Sequence, residues 1–125
     1  MFTNLDDKSI QLELDSSLSP MTFQGIIDHL PVKVKINRWG DELYTDPTDI
    51  DVKVEENART EVNELDVAYW PEGKAICLFF GPTPISTKGK ILAYSPVNTV
   101  GRILDVSMRN DILEQVKTKT HVNIK

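Results

Sequence analysis

The chain has 125 residues, 40 % of them apolar and 26 % charged, a balance suited to one globular domain, residues 1–125, with a core of its own. Its net charge of −5 offers no basic face for nucleic acid, and no apolar run approaches the roughly 20 residues that span a bilayer. Cys77 is the one cysteine, which excludes an intrachain disulfide and fits a reducing, cytoplasmic setting.

The first residues, "MFTNLDDKSI", lack the basic start and apolar centre of a secretion signal. "SIQLEL" then alternates, with Ile10, Leu12 and Leu14 on one face, and predicts a half-buried strand. In "SLSPMTFQGIIDHLP", Ser19 is positioned to cap a helix and Pro20 to open it. Phe23, Ile26, Ile27 and Leu30 follow at helical spacing, and Pro31 ends the run. His29 falls in the last turn, where the helix dipole favours it structurally.

"VKVKINRW" alternates again, with Val32, Val34 and Ile36 inward. The Gly40-Asp41 turn leads into "ELYT", predicting a hairpin. "DPTDIDVKVEENART" reads as a polar crossing with a short strand at Val52 to Val54. Its carboxylates, Asp46, Asp49, Asp51, Glu55 and Glu56, lack calcium-loop spacing and read as solvated. "ELDVAYW" and "KAICLFF" are the strongest strand signals, joined by "PEGK" as a second hairpin.

Cys77 lies among apolar neighbours and reads as an inert small hydrophobe. "GPTPISTKGK" reads as a loop, since two prolines and two glycines exclude a central strand. It lacks the spacing of a phosphate loop. "VNTVGRILDV" predicts a strand with a bulge at Gly101. "NDILEQVK" predicts a short helix capped by Asn110, and "THVNIK" a closing strand. Lys117, Lys119 and Lys125 read as a solvated edge. His29 and His121 have no partners at zinc-ligand spacing, so neither metal nor cofactor is expected. The sum is a mainly β protein of about eight strands, best arranged as a mostly antiparallel barrel with two short helices over its ends.

The stretches "FFGPTPISTKGK", "VNTVGRI" and "HVNIK" resemble the C-terminal half of the cyclophilins. "NRWGDELYT", "ENART", "DVAYWPEGKAICLFFGPTPIS" and "SPVNTVGRI" resemble a prokaryotic family of stand-alone cyclophilin-like domains of unknown function, over roughly Ile10 to Ile124. The resemblance implies a closed eight-stranded barrel capped by two helices. It also implies a partner protein, since related domains occur within larger amide-cleaving enzymes. Of the residues of the prolyl isomerases, only the Phe79-Phe80 pair and Gly101-Arg102 carry over. No Phe-His-Arg segment exists, Leu78 stands where a glutamine would precede Phe79-Phe80, the loop after the pair has no tryptophan, and "SPVNTVG" has no histidine.

Five residues are the candidates for a ligand site. Trp70 stands at a strand end, where it either opens a pocket or seals the sheet. Phe79 and Phe80 must face opposite sides of their strand, and Phe80 is taken as the groove residue because the cyclophilin groove uses a Phe of this pair. Arg38 is suited to grip a carboxylate or phosphate, or else to pair with Asp41 or Glu42. Arg59 belongs to the Glu-Asn-x-Arg segment that recurs in the resembled family, and Tyr44 offers a hydroxyl. The leading reading is a module that binds a small molecule or short peptide. The rivals are a divergent prolyl isomerase and a structural or oligomerising domain.

Overall fold

In a computed structural model, the structure describes residues 2–5, 10–52, 56–104, 113–114 and 120–124. Among these lie nine strands and one helix. In chain order they are β1 (Phe2–Leu5), β2 (Ile10–Leu14), α1 (Pro20–His29), β3 (Val32–Trp39) and β4 (Glu42–Thr45). There follow β5 (Arg59–Val62), β6 (Asp66–Trp70), β7 (Ala75–Phe79), β8 (Ile91–Ile103) and β9 (Thr120–Ile124). Every pairing is antiparallel.

The strands run in the order β2-β1-β9-β3-β4-β7-β6-β8-β5. The sheet curls so strongly that β2 also meets β8, pairing Leu12 with Ile103 and Leu14 with Gly101. The expected closed eight-stranded barrel needs correction. Among the described residues, one pair, Leu5 with Ile124, joins β1 to β9, and β5 hangs on β8 as a ninth strand with no second partner. The result is a strongly curled sheet, thin at one seam and open at one edge. The expected second helix, with its cap at Asn110, and the three C-terminal lysines lie outside the described residues, except for a helical Leu113–Glu114. Of the expected strand at Val52 to Val54, Val52 is not in a strand and the rest lies outside the described residues.

Alternation along the strands sorts side chains to two faces. The inner face packs Leu12, Leu14, Ile36, Leu43, Tyr69 and Leu78 into one cluster. Helix α1 closes it with Ile26, which is 2 % exposed, and with the flanks of Phe23, Ile27 and Leu30. Full burial of a side chain such as Ile26 contributes about 1.5–3 kcal/mol. The outer face carries a smaller cluster of Ala68, Cys77, Phe79, Ala93 and Val97, with Tyr44 and Trp70 packed against it.

Gly101 answers to two constraints. Between Val67 and Ala68 the β6–β8 register steps from Gly101 to Thr99, so Val100 is a bulge residue beside the glycine. A Cβ at Gly101 would stand 1.9 Å from the Glu13 carbonyl oxygen of β2. Only glycine lets the two backbones pair there.

The start of α1 differs from expectation. Ser19 is the N-cap residue, yet its side chain makes no cap bond. Its hydroxyl instead donates to the Thr99 carbonyl at 2.8 Å. The cap comes from a distant loop: the Glu56 carboxylate accepts from the Met21 and Thr22 N–H groups at 2.7 and 2.9 Å. Desolvation pushes the Glu56 carboxyl up, but these N–H donors outweigh it and hold the group below its usual range.

Asn57, next in the chain, donates to Leu18 O and Ser19 Oγ at 2.7 and 2.9 Å and accepts from Thr99 N and Oγ1 at 3.0 and 2.9 Å. The "EN" of "ENART" is thus a clasp joining loop, helix and β8. At the far end of α1, His29 Nδ1 donates to the Gly25 carbonyl at 2.7 Å, the structural role expected of it.

Candidate functional site

A pocket of about 290 Å³ lies on the outer face, over the strands that carry the second cluster. Hairpin geometry builds its floor and one wall. The two-residue turn Gly40-Asp41 sets Trp39 opposite Glu42 and Asn37 opposite Tyr44. Directly paired residues share a face, so Trp39, Glu42 and Tyr44 all stand on the outer side. On β7, Cys77 pairs with Tyr44 and joins them.

The second hairpin supplies the opposite wall. Trp70 pairs with Ala75 across the Pro71–Lys74 turn. Its ring lies over Gly73, where a Cβ would come within 2.2 Å of Trp70 Cε3. The indole N–H donates to Ser95 Oγ at 2.6 Å, and Ser95 donates in turn to Glu72 Oε2 at 2.9 Å. Packing from below and a hydrogen-bond chain from the side fix the ring's position.

A break in strand pairing supplies the rim. Arg59 of β5 pairs with Val97 of β8, and Glu61 with Leu92. One residue of β5, Thr60, therefore faces four of β8, Ala93 to Pro96. Pro96 has no N–H to give the ladder, which favours a bulge here. The bulge carries Tyr94, 70 % exposed. Tyr94 meets Trp39 edge-to-face at 6.1 Å and Trp70 at 5.9 Å, with interplanar angles of 72° and 76°.

At the floor is a carboxylate. Glu42 is 5 % exposed, and its bonding partner among the described residues is the Cys77 thiol. Burial pushes the Glu42 carboxyl up to about 7, and the thiol bond only partly offsets that. Burial likewise pushes the Cys77 thiol well up, with the charge and hydrogen bond of Glu42 adding to it. Cys77 is buried and unreactive in character, as expected, but it also serves as the donor to Glu42.

Tyr44 and Trp70, both expected at a site, line this pocket. The others do not. Phe80, taken as the groove residue, is fully buried in the inner cluster, and it is Phe79 that faces outward, beneath the pocket and equally buried. The correction follows from register: with Trp70 opposite Ala75, residues 75, 77 and 79 share the outer face.

Arg38 pairs with Leu43 and so belongs to the inner side. Its guanidinium is engaged by Gly40 O at 2.8 Å, Leu113 O at 2.5 Å and Asp41 Oδ1 at 3.3 Å. Arg59 is exposed on the open edge strand and donates to Asn57 O at 3.4 Å. It lines a separate, polar hollow with Glu61 and Asn63. Among the described residues, no three His, Cys, Asp or Glu side chains gather as a metal site, and no helix is long and apolar enough to cross a membrane.

The residues that sequence reasoning missed are Glu42, Trp39 and Tyr94. The first two were legible in principle. A two-residue turn forces the flanking residues to pair, which puts Glu42 on Trp39's face and away from Arg38.

The sequence profile described as Cyclophilin-like matches residues 2–125. The chain belongs to the cyclophilin-like family. A solution structure of hypothetical protein AF2241 from Archaeoglobus fulgidus is similar to it, with 40 % identity and a TM-score of 0.80 over 100 % of this chain and 93 % of that one. A structure of McbB in complex with tryptophan shares the fold at 15 % identity and a TM-score of 0.63, over 99 % of this chain and 43 % of McbB. No curated protein matches. This cyclophilin-like chain therefore has a stand-alone relative of nearly its own length.

Proposed function

We propose that this cyclophilin-like protein binds a small molecule in the outer-face pocket, between Trp39, Trp70 and Tyr94 and above Glu42. One observation carries the reading. Glu42 is a carboxylate 5 % exposed, set under aromatic rings and bonded only to a thiol among the described residues. A buried charge without a strong partner costs stability, and such a group in a cleft is a candidate for function. Pocket size agrees: about 290 Å³ is close to the lower bound for small-molecule sites, about 300 Å³. It suits a compact ligand better than an extended peptide. The fold is compatible with such a role, since McbB was solved with tryptophan.

The remaining parts of the reading are a single domain in the cytoplasm, with a partner protein as a further expectation from the resemblance. Prolyl isomerase chemistry is the weaker alternative. It calls for a donor near the proline amide, and of the arginines that could supply one, Arg38 is bonded to Leu113 O, Arg59 lines the separate polar hollow, and Arg102 is exposed on β8 outside the pocket lining.

The test is two-dimensional NMR of the protein titrated with a panel of small metabolites. Movement of the Trp39 and Trp70 indole N–H signals, together with a raised melting temperature, is expected for a ligand. Hits that shift only signals from residues 57–63 would relocate the site to the polar hollow and overturn the reading.

A further inference from the structure

The charge at the floor of the pocket says more than that a ligand binds there. A carboxylate offers about four acceptor positions, and Glu42 has one weak donor, the Cys77 thiol, to fill them. Among the described residues, no Lys, Arg or His lines the pocket. The nearest arginine in sequence, Arg38, is turned to the other face and held by two carbonyls and Asp41. Lys90, at the start of β8, is drawn toward Glu61, 3.9 Å away on the far edge. Among the described residues, Glu42 thus lacks the cation that a buried carboxylate ordinarily has.

The walls point the same way. Trp39 and Trp70 each meet Tyr94 at a steep angle, so the rings enclose space rather than stacking flat. Aromatic faces carry negative partial charge and attract cations, most strongly where water is excluded, and cages of this kind receive alkylated ammonium groups. An anion would meet the Glu42 charge and the electron-rich rings together. A neutral apolar ligand would offer Glu42 no counter-charge and would favour its protonated form.

We propose that the pocket is a receptor for a small organic ammonium ion, its charge against Glu42 and its apolar body between Trp39, Trp70 and Tyr94. The proposal rests on the reading of this pocket as the ligand site and adds the chemical class of the ligand. It has a consequence for pH. Among the described residues, the titratable groups lining the pocket with Glu42 are the Cys77 thiol from β7, the Tyr44 phenol from its own strand and the Tyr94 phenol from β8, while β3 contributes Trp39 and a second carboxylate, Glu72, stands behind Ser95 at the wall. None of these groups turns cationic at any pH, so the charge at the pocket floor follows Glu42.

The experiment compares probes of matched shape on the wild-type protein by NMR and calorimetry. 2-Phenylethylamine and benzyltrimethylammonium carry the cation, 2-phenylethanol is neutral, and phenylacetate is an anion. Both cations are expected to bind at least about tenfold more tightly than the alcohol, with phenylacetate weakest, and to move the Trp39 and Trp70 indole signals. Benzyltrimethylammonium does not titrate, so its affinity should rise with pH through about 7 as Glu42 ionises. In Glu42→Gln both the preference for cations and this pH dependence should vanish.

Equal binding of alcohol and cations at the indoles overturns the ammonium proposal and leaves the pocket reading standing. A pH-independent affinity for benzyltrimethylammonium overturns it too. Failure of all four probes to move either indole at millimolar concentration overturns both. The comparison of probes needs no variant, so a poorly folded Glu42→Gln would not shield the proposal.

Discussion

Two groups of polar side chains are withdrawn from water in this protein, and they are built in opposite ways. At the clasp, Asn57 uses both ends of its amide in five hydrogen bonds to Leu18, Ser19 and Thr99. Asn98 extends the network to Thr22 Oγ1 at 3.2 Å and to the Glu56 N–H at 3.3 Å. At the pocket floor, Glu42 has a single thiol among the described residues. Satisfied buried polar groups specify structure, because each one removed leaves its partners unpaired. An unsatisfied one has to be maintained against its cost, and a bound molecule would complete it. The clasp accounts for the fold, and the pocket is where the proposed ligand would sit.

That contrast can be broken by experiment. The largest expected effect is at the clasp: Asn57→Ala should destabilise by about 3–4 kcal/mol, since several buried donors and acceptors lose partners at once. Urea denaturation should show a lower midpoint with an unchanged slope. A loss under about 1 kcal/mol would make the network ornamental and erase the distinction.

Next comes the pH dependence of Glu42. Its folded value of about 7 lies above the ordinary 4.5, so between the two the folded state holds a proton that the unfolded chain has released. Stability from this group is full below about 4.5 and is lost as pH rises through about 7. The loss should be on the order of 2–3 kcal/mol. Glu42→Gln should lack it, so the variant ought to gain on the wild type as pH climbs, measured by denaturation at a series of pH values. A constant difference across the range would mean that Glu42 is not held desolvated.

Smaller effects sharpen the picture. Glu56→Ala removes the distant cap of α1 and should cost about 1 kcal/mol, with faster amide exchange at Met21 and Thr22. Ser95→Ala should change stability by less than about 1 kcal/mol while freeing the Trp70 ring, visible as broadening of its indole signal. If Ser95→Ala instead matched Asn57→Ala in cost, the pocket wall would be as structural as the clasp.

Much of the fold was legible in the sequence because it rests on repeats of two and of 3.6 residues. The alternation at Leu12 and Leu14 and the stripe from Phe23 to Leu30 need no information beyond their own spacing. The bulge at Gly101 was legible because a glycine in a strand has few other reasons to be there. The site was less legible, since its members come from β3, β4, β6, β7 and β8. Glu42 in "ELYT" looks like any surface acid beside a turn, and only cross-strand register assigns it to a face. Phe80 was misplaced by analogy where register gave the answer. The cap from Glu56 is a contact across 34 or 35 positions, which no local pattern encodes. Tyr94 depended on a bulge set by the failure of β5 and β8 to keep step.

The pleat of the sheet has an evolutionary corollary. Trp39, Glu42, Tyr44 and Cys77 alternate along their strands with residues of the inner face, such as Leu43 and Leu78. Natural variation can therefore rewrite every second letter of these strands, altering what the protein recognises, while the letters between them preserve the scaffold. Divergent descendants of one ancestor could acquire different ligands with no change in architecture.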